Sequence, residues 1–360
     1  MISYANKNRR AVNYLKTIYF DHPEWIPVNV SIMPATWMRY REAVEEIVLA
    51  HPRLFPGYVK GSRDFDATGG NPLYEEGDHT DCWGVVWRNI ARGLDSYVAV
   101  HPLADWSAFD TWTPPDPLRE NSFERRDWAL VARQLQEAKA RGDIAIGGGL
   151  QHGFMWMRLF YLRGFENLMM DMAARDPRLD RLIRIVTDYN VAVIQQYLAL
   201  GAEMISVGDD LGFQKALPIS PAMWREYLKP SYEAMFGPCR DRDVPVYLHS
   251  DGHMLEIIPD LIETGIRVIN PQIRANGLAG LQEWARGKVA IHIDLDRQLF
   301  PFATPAQIAD HIHEIVAGLV LPEGGLMVHA ECEPDVPLAN IEAICATLEE
   351  VCHPPHPDEL

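Results

Sequence analysis

No stretch of this chain approaches 18 consecutive apolar residues, and the opening MISYANKNRRAVNYL has no apolar leader core. Both absences argue against a membrane span and for a soluble, cytoplasmic protein. Cysteine is scarce: Cys82, Cys239, Cys332, Cys345 and Cys352 are five in number, widely spaced and without a CxxC pair. That usage fits a reducing compartment better than a disulfide framework. Cationic residues are in deficit, 33 Lys and Arg against 50 Asp and Glu, for a formal net charge of −17. A nucleic-acid surface needs clustered cations to neutralise phosphates, so none is expected. The GxGxxG turn of dinucleotide-binding sheets is missing as well.

The 360 residues are 48% apolar, enough for a large core without structural metal or disulfides. Short apolar runs occupy 28–32, 97–100, 144–147, 204–207, 244–248, 267–269, 289–293 and 326–328. Longer helical patterns alternate with them, such as 180–199, where Leu182, Ile185, Val186, Tyr189 and Val193 recur at helical spacing. This alternation predicts a parallel sheet with right-handed crossovers. Eight such strands close into a single (β/α)8 TIM barrel, an α/β fold. An open doubly wound sheet is the competing architecture. The segments read as 1–92, an N-terminal helical extension with the first strand and a lid-like insertion; 93–352, the remainder of the barrel; and 353–360, a frayed tail. All belong to one domain, and 35–50 carries a helical signal.

A barrel carries its chemistry on the loops after its strands. Those positions hold His101, Gln151, His152, Asp209, Asp210, His249, Asp251, Asn270, Gln272, His292, Glu331 and Cys332. Helix capping alone would supply Ser, Thr and Asp there, but not so many histidines. His249 and Asp251, two apart in extended chain, fall on one face and suit metal ligation. Alternatively, His249 only hydrogen bonds and Asp251 caps the next helix. Glu331 and Cys332 offer a third arm, although free cysteine is often an apolar filler. Of the adjacent Asp209 and Asp210, one faces the pocket as general base or substrate anchor, unless it caps a helix. Trp83 and Trp87 either roof an apolar substrate or pack in the core.

The segments DHTDCWGVVW, YLRGFENLMMDMAARDP, GAEMISVGDDLGFQKALPISPAMWREYLKP, YLHSDGHMLEIIPDLIETGIRVINPQ and VPLANIEAI resemble the uroporphyrinogen-decarboxylase superfamily. That superfamily includes zinc-dependent, corrinoid-linked methyltransferases. The RQAGR-like basic segment of the true decarboxylases is replaced here by SIMPATWMRYRE, with Arg39 and Arg41. A polycarboxylated tetrapyrrole would therefore lack cationic partners. The methyltransferase branch implies a zinc site made from His-x-Cys after the fifth strand and a further Cys after the eighth. Here His249-x-Asp251 exchanges one thiolate for a carboxylate, and Cys332-Glu-Pro334-Asp-Val-Pro337 is shorter than the family's Cys-Gly-x-x-Pro-x-x-Pro. Aligned prolines put Ala330 at the ligand position. Harder ligands make a stronger Lewis acid, suited to polarising a methyl-ether oxygen.

The resemblance thus implies an O-demethylase component, a methyltransferase moving a methyl group from a small methoxylated or methylated donor to a corrinoid protein. Zinc would be held by His249, Asp251 and either Glu331 or Cys332. Asp209 or Asp210 would orient the substrate. Trp83, His101, Gln151, His152, Asn270, Gln272 and His292 would line its pocket. The corrinoid would ride on the partner, since the chain lacks a DxHxxG motif, and a homodimer is a further family expectation. The alternative is a metal-free decarboxylase or lyase, with Arg39, Arg41 or Arg158 holding a small carboxylated substrate. A barrel that only binds a ligand or partner is a third possibility.

Overall fold

The computed structural model describes residues 4–359. They fall into two compact units. The first comprises the chain up to Asn71, Arg92–Leu94 and the chain from Val268 onward; the second comprises Pro72–Ala91 and Asp95–Arg267. Seven strands recur between helices: β1 (Val28–Ile32), β2 (Ile146–Gly147), β3 (Met204–Gly208), β4 (Val246–Ser250), β5 (Ile266–Pro271), β6 (Ala290–Asp294) and β7 (Leu326–Cys332). The alternation is that of a TIM-barrel-like α/β chain.

In the first unit the parallel order is β5–β6–β7–β1, with Asp294 opposite His329 and His329 opposite Asn29. Side chains alternate faces along each strand. At the end of β7, Ala330 and Cys332 are buried while His329 and Glu331 are partly exposed. The helix Pro305–Leu319 starts at a Thr304/Gln307 capping box and buries Ile308, Ile312, Ile315 and Leu319. It packs on Leu338–Cys352, whose Ile341, Ile344, Cys345 and Leu348 are buried. Each such large aliphatic contributes roughly 1.5–3 kcal/mol.

Two expectations change in this unit. The 35–50 helical signal is two helices, Pro34–Tyr40 and Glu42–Ala50, because Arg41 turns to φ 48° between them. The tail is not frayed: Pro354 and Pro355 are buried, and Arg53 and Arg9 donate to the carbonyls of Pro354 and Glu359 at 2.8 and 2.7 Å.

In the second unit the parallel order is β2–β3–β4, with Ile205 opposite Val246 and Gly208 opposite His249. The helix Pro177–Ala199 begins at Asp176, whose carboxylate accepts the Arg178 N–H, with proline at the first turn. Its Leu179, Leu182, Val186, Tyr189, Val193 and Tyr197 form the buried stripe that helical spacing predicts. The apolar run at 97–100 is not a barrel strand. It joins Gly77–Thr80 and Val86–Asn89 in a three-stranded antiparallel sheet. The reason is the shortness of the connections. Between the first two strands Asp81 accepts the N–H groups of Trp83 and Val85, and Gly84 takes φ +83°. Residues 90–96 alone join Val86–Asn89 to Tyr97–Val100, too few for a crossover helix. No helix among the described residues is long and apolar enough to cross a membrane.

Candidate functional site

The ends of β3 and β4 lie side by side in register, and the Asp209 N–H donates to the His249 carbonyl at 3.0 Å. The loops beyond them brace each other. The Leu211 N–H donates to Ser250 Oγ (3.0 Å), the His253 N–H to the Phe213 carbonyl (2.7 Å) and the Asp251 N–H to Asp210 Oδ1 (3.2 Å). Gly252, at φ +82°, runs so close to Gly212 that a Cβ there would meet the Gly212 carbonyl oxygen at 2.0 Å. Only glycine permits this crossing.

The two adjacent aspartates divide their work. Asp209 is fully buried and accepts the N–H groups of Trp156 (2.6 Å) and Met157 (2.9 Å) and the Tyr232 hydroxyl (3.1 Å). It therefore anchors the start of the helix Trp156–Arg163, the helix-capping alternative for one of this pair. Burial pushes its carboxyl up to about 6, against the two backbone donors. Asp210 is the residue that faces outward, 3.3 Å from His152 Nε2.

His152, Asp210 and His249 each place one ligand atom within 4.8 Å of the others. Gly208 makes room for this: a Cβ there would sit 2.7 Å from His152 Cδ2. Burial alone would pull the His152 imidazolium down, but the hydrogen bond and charge of Asp210 outweigh it and raise its pKa. Burial likewise raises Asp210, and His152, with help from the charge of His249, overcomes it and lowers the carboxyl. Asp251 Oδ1 lies 3.3 Å from His249 Nε2, so the one-face reading of that pair matches the geometry. Two imidazoles and a carboxylate suit a divalent ion such as Zn²⁺. This donor set contains no thiolate.

A second constellation in this unit surrounds Arg158, which is 1% exposed. Its guanidinium bonds Asp81 Oδ2 (3.0 Å) and Gln151 Oε1 (2.5 Å) and lies over the rings of Trp83 and Tyr161. Trp83, Gln151, Phe154, Arg158, Tyr189 and Asn190 border a cavity of about 10 Å³, space for one water-sized group. The Arg158 contact fixes the Gln151 amide, and its Nε2, buried here, has no hydrogen-bond partner. Trp83 is 3% exposed, so it is at once a core residue and a cavity wall. His101 follows the antiparallel sheet, and its Nδ1 is 2.8 Å from the Tyr161 carbonyl oxygen. Tyr189 and Asn190 come from the middle of a helix, where periodicity reads them as core; sequence offered no other signal for them. His152 as a ligand partner was equally hidden, because its contact with Asp210 crosses 57 intervening residues folded as helices and a strand.

The other predicted residues belong to the first unit. Asn270 is buried and donates to the His292 carbonyl (2.6 Å), Gln272 is buried, and His292 Nε2 is 2.9 Å from Asn29 Oδ1. Glu331 is paired with Arg297 at 2.5 Å. Cys332 is fully buried on the face it shares with Ala330, opposite His329 and Glu331, and its thiol is pushed up to about 12 by burial and by Glu331. Strand alternation thus packs it as an apolar filler, the alternative reading of this cysteine, away from the face of Glu331.

An α/β barrel-type chain with polar residues gathered at strand ends is an enzyme scaffold. The uroporphyrinogen decarboxylase (URO-D) family matches residues 89–351, and the chain belongs to that family. In structure it is similar to a methyltransferase from Methanosarcina mazei, with TM-score 0.58 and 15% identity over 94% of this chain and 98% of that one. That likeness is one of fold. Partial similarities extend to a dihydropteroate synthase from Yersinia pestis (TM-score 0.31, 21% identity, 46% and 62% of the two chains). Another is to a B12-independent methionine synthase from Shewanella sp. W3-18-1 (TM-score 0.34, 12% identity, 48% and 54%). No curated protein matches the chain.

Proposed function

We propose that the protein is a zinc-dependent methyltransferase that takes a methyl group from a small methoxylated or methylated donor and passes it to a corrinoid on a separate protein. The observation that carries this reading is the convergence of His152, Asp210 and His249 within 4.8 Å. Family membership and a fold like that of the Methanosarcina mazei methyltransferase support it. Held by those three side chains, zinc would supply Lewis acidity toward an ether oxygen. The chain's own residues perform the remaining tasks. The Asp251 N–H orients Asp210, Asp210 in turn orients His152, and Gly208 leaves the space that His152 occupies. Gln151 Nε2 offers a buried donor to the cavity beside Trp83 and Tyr189, which admits one water-sized group. The metal-free lyase needs an arginine at liberty to grip a carboxylate. Arg39 donates to the Pro334 carbonyl, Arg41 pairs with Asp66 and Arg158 with Asp81, which weighs against it.

Elemental analysis of the tag-free protein beside its His249→Ala and His152→Ala variants tests the reading. Near-stoichiometric zinc in the parent, lost from both variants, should accompany methyl transfer from methoxylated donors to an added corrinoid protein. A parent that stays metal-free after zinc supplementation, or a His249→Ala variant that keeps its zinc, would overturn the ligand assignment. Carbon dioxide release from carboxylated substrates would then be the assay to run.

A further inference from the structure

The first unit carries a polar constellation that the methyl-transfer reading does not use. Three adjacent parallel strands, β6, β7 and β1, bring their ends together in register, with Asp294 opposite His329 and Ser31 opposite Glu331. Alternation puts Asn29 and Ser31, His292 and Asp294, and His329 and Glu331 on one face. On that face His329 Nδ1 lies 2.9 Å from Asp294 Oδ1, and His329 Nε2 lies 2.9 Å from Ser31 Oγ. Asp294 is 2% exposed, and Ser31 is partly exposed. A buried carboxylate at Nδ1 favours the tautomer with its proton there, which leaves Nε2 as acceptor for the serine hydroxyl. The ring N–H is not yet aimed along the 2.9 Å contact, so Asp294 Oδ1 makes no hydrogen bond of good geometry. Such bonds commonly tighten only when substrate is bound.

We propose that Ser31, His329 and Asp294 form a serine nucleophile with its acid–base partner and positioning carboxylate, acting on small neutral esters. Ser31 Oγ attacks the ester carbonyl carbon as its proton passes to His329 Nε2. The carbon–oxygen bond to the alcohol breaks, and the alcohol leaves with that proton. Water, deprotonated by His329, then attacks the acyl carbon; the bond from that carbon to Ser31 Oγ breaks, His329 returns the proton to Oγ, and the acid leaves. Asp294 touches no substrate; it positions His329.

A fluorophosphonate probe, with labelled peptides located by mass spectrometry, reads the serine directly, alongside p-nitrophenyl acetate hydrolysis. Ser31 should be the labelled residue, and Ser31→Ala should lose both label and hydrolysis. The near-isosteric Asp294→Asn should fold, as judged by thermal unfolding, yet label roughly 100-fold more slowly, since it favours the wrong tautomer. Lys60→Ala, a substitution at an exposed side chain outside both sites, should label like the parent. Absence of label on Ser31 in the folded parent would overturn it. So would Asp294→Asn labelling within about threefold of the parent rate.

Discussion

Replacing Arg158 with methionine removes one half of an ion pair whose side chains are 2% and 0% exposed. Breaking such a buried pair costs about 3–5 kcal/mol, mainly because the surviving charge is stranded. Asp81 would not be wholly stranded, for it keeps the Trp83 N–H (2.9 Å), the Val85 N–H (3.0 Å) and Trp87 Nε1 (3.1 Å). That places the loss at the lower end, about 3 kcal/mol. Gln151 Oε1 also loses its donor, adding about 1 kcal/mol. Methionine still fills space against Trp83 and Tyr161, so no large cavity term is added. For 360 residues unfolding together, at about 2.1 cal/mol/K per residue, the total corresponds to a midpoint lowered by about 5 °C. The assay is thermal and urea unfolding followed by tryptophan fluorescence, repeated for Asp81→Asn and for the double variant. Neutralising Asp81 removes the stranded charge, so the double variant should recover about 2 kcal/mol relative to additivity. An Arg158→Met variant within about 1 kcal/mol of the parent, or strict additivity, would refute the reasoning.

Gly208→Ala would drive a methyl group to 2.7 Å from His152 Cδ2 and should weaken zinc binding about tenfold in a chelator competition, leaving the fold intact; unchanged affinity would count against His152 as a ligand. Cys332→Ala should keep the parent's zinc content while losing about 1 kcal/mol of stability, and zinc loss would restore Cys332 to the ligand set. Asp176 is lowered from 3.8 to about 2 by the side chain of Arg178 and then by its backbone N–H, so its stabilising effect is present above the unfolded value and fades as pH falls through about 2. The deficit of Asp176→Ala, read as a urea midpoint, should be full near about pH 5 and shrink by about pH 2.5. A deficit independent of pH would exclude the linkage.

Local patterns made much of the architecture legible in advance. The run at 28–32, the stripe of 180–199 and the apolar stretches from 204 onward are one-dimensional signals, because burial of a strand or helix face recurs with a fixed period. The strand at 97–100 was misread for a related reason. Four apolar residues look the same in a barrel and in a hairpin, and what decides between them is their pairing with Val86–Asn89 across the short connection 90–96. The tail was misread because the donors that hold it, Arg9 and Arg53, lie some 300 or more residues away in sequence.

The sequence by itself determined the alternating α/β class, the acidic surface, the family and the pairing of His249 with Asp251, since two residues along a strand return to the same face. It also narrowed the chemistry to polar residues at strand ends. Which of them meet was decided only in three dimensions. Asp209 and Asp210 are chemically identical neighbours, and only the N–H groups of Trp156 and Met157 make one an anchor and leave the other beside His152. Cys332 and Glu331 are likewise adjacent, and strand alternation alone buries the thiol and leaves the carboxylate partly exposed. Ser31, His329 and Asp294 come from β1, β7 and β6, and their alignment depends on the register of parallel strands, which no local spacing encodes.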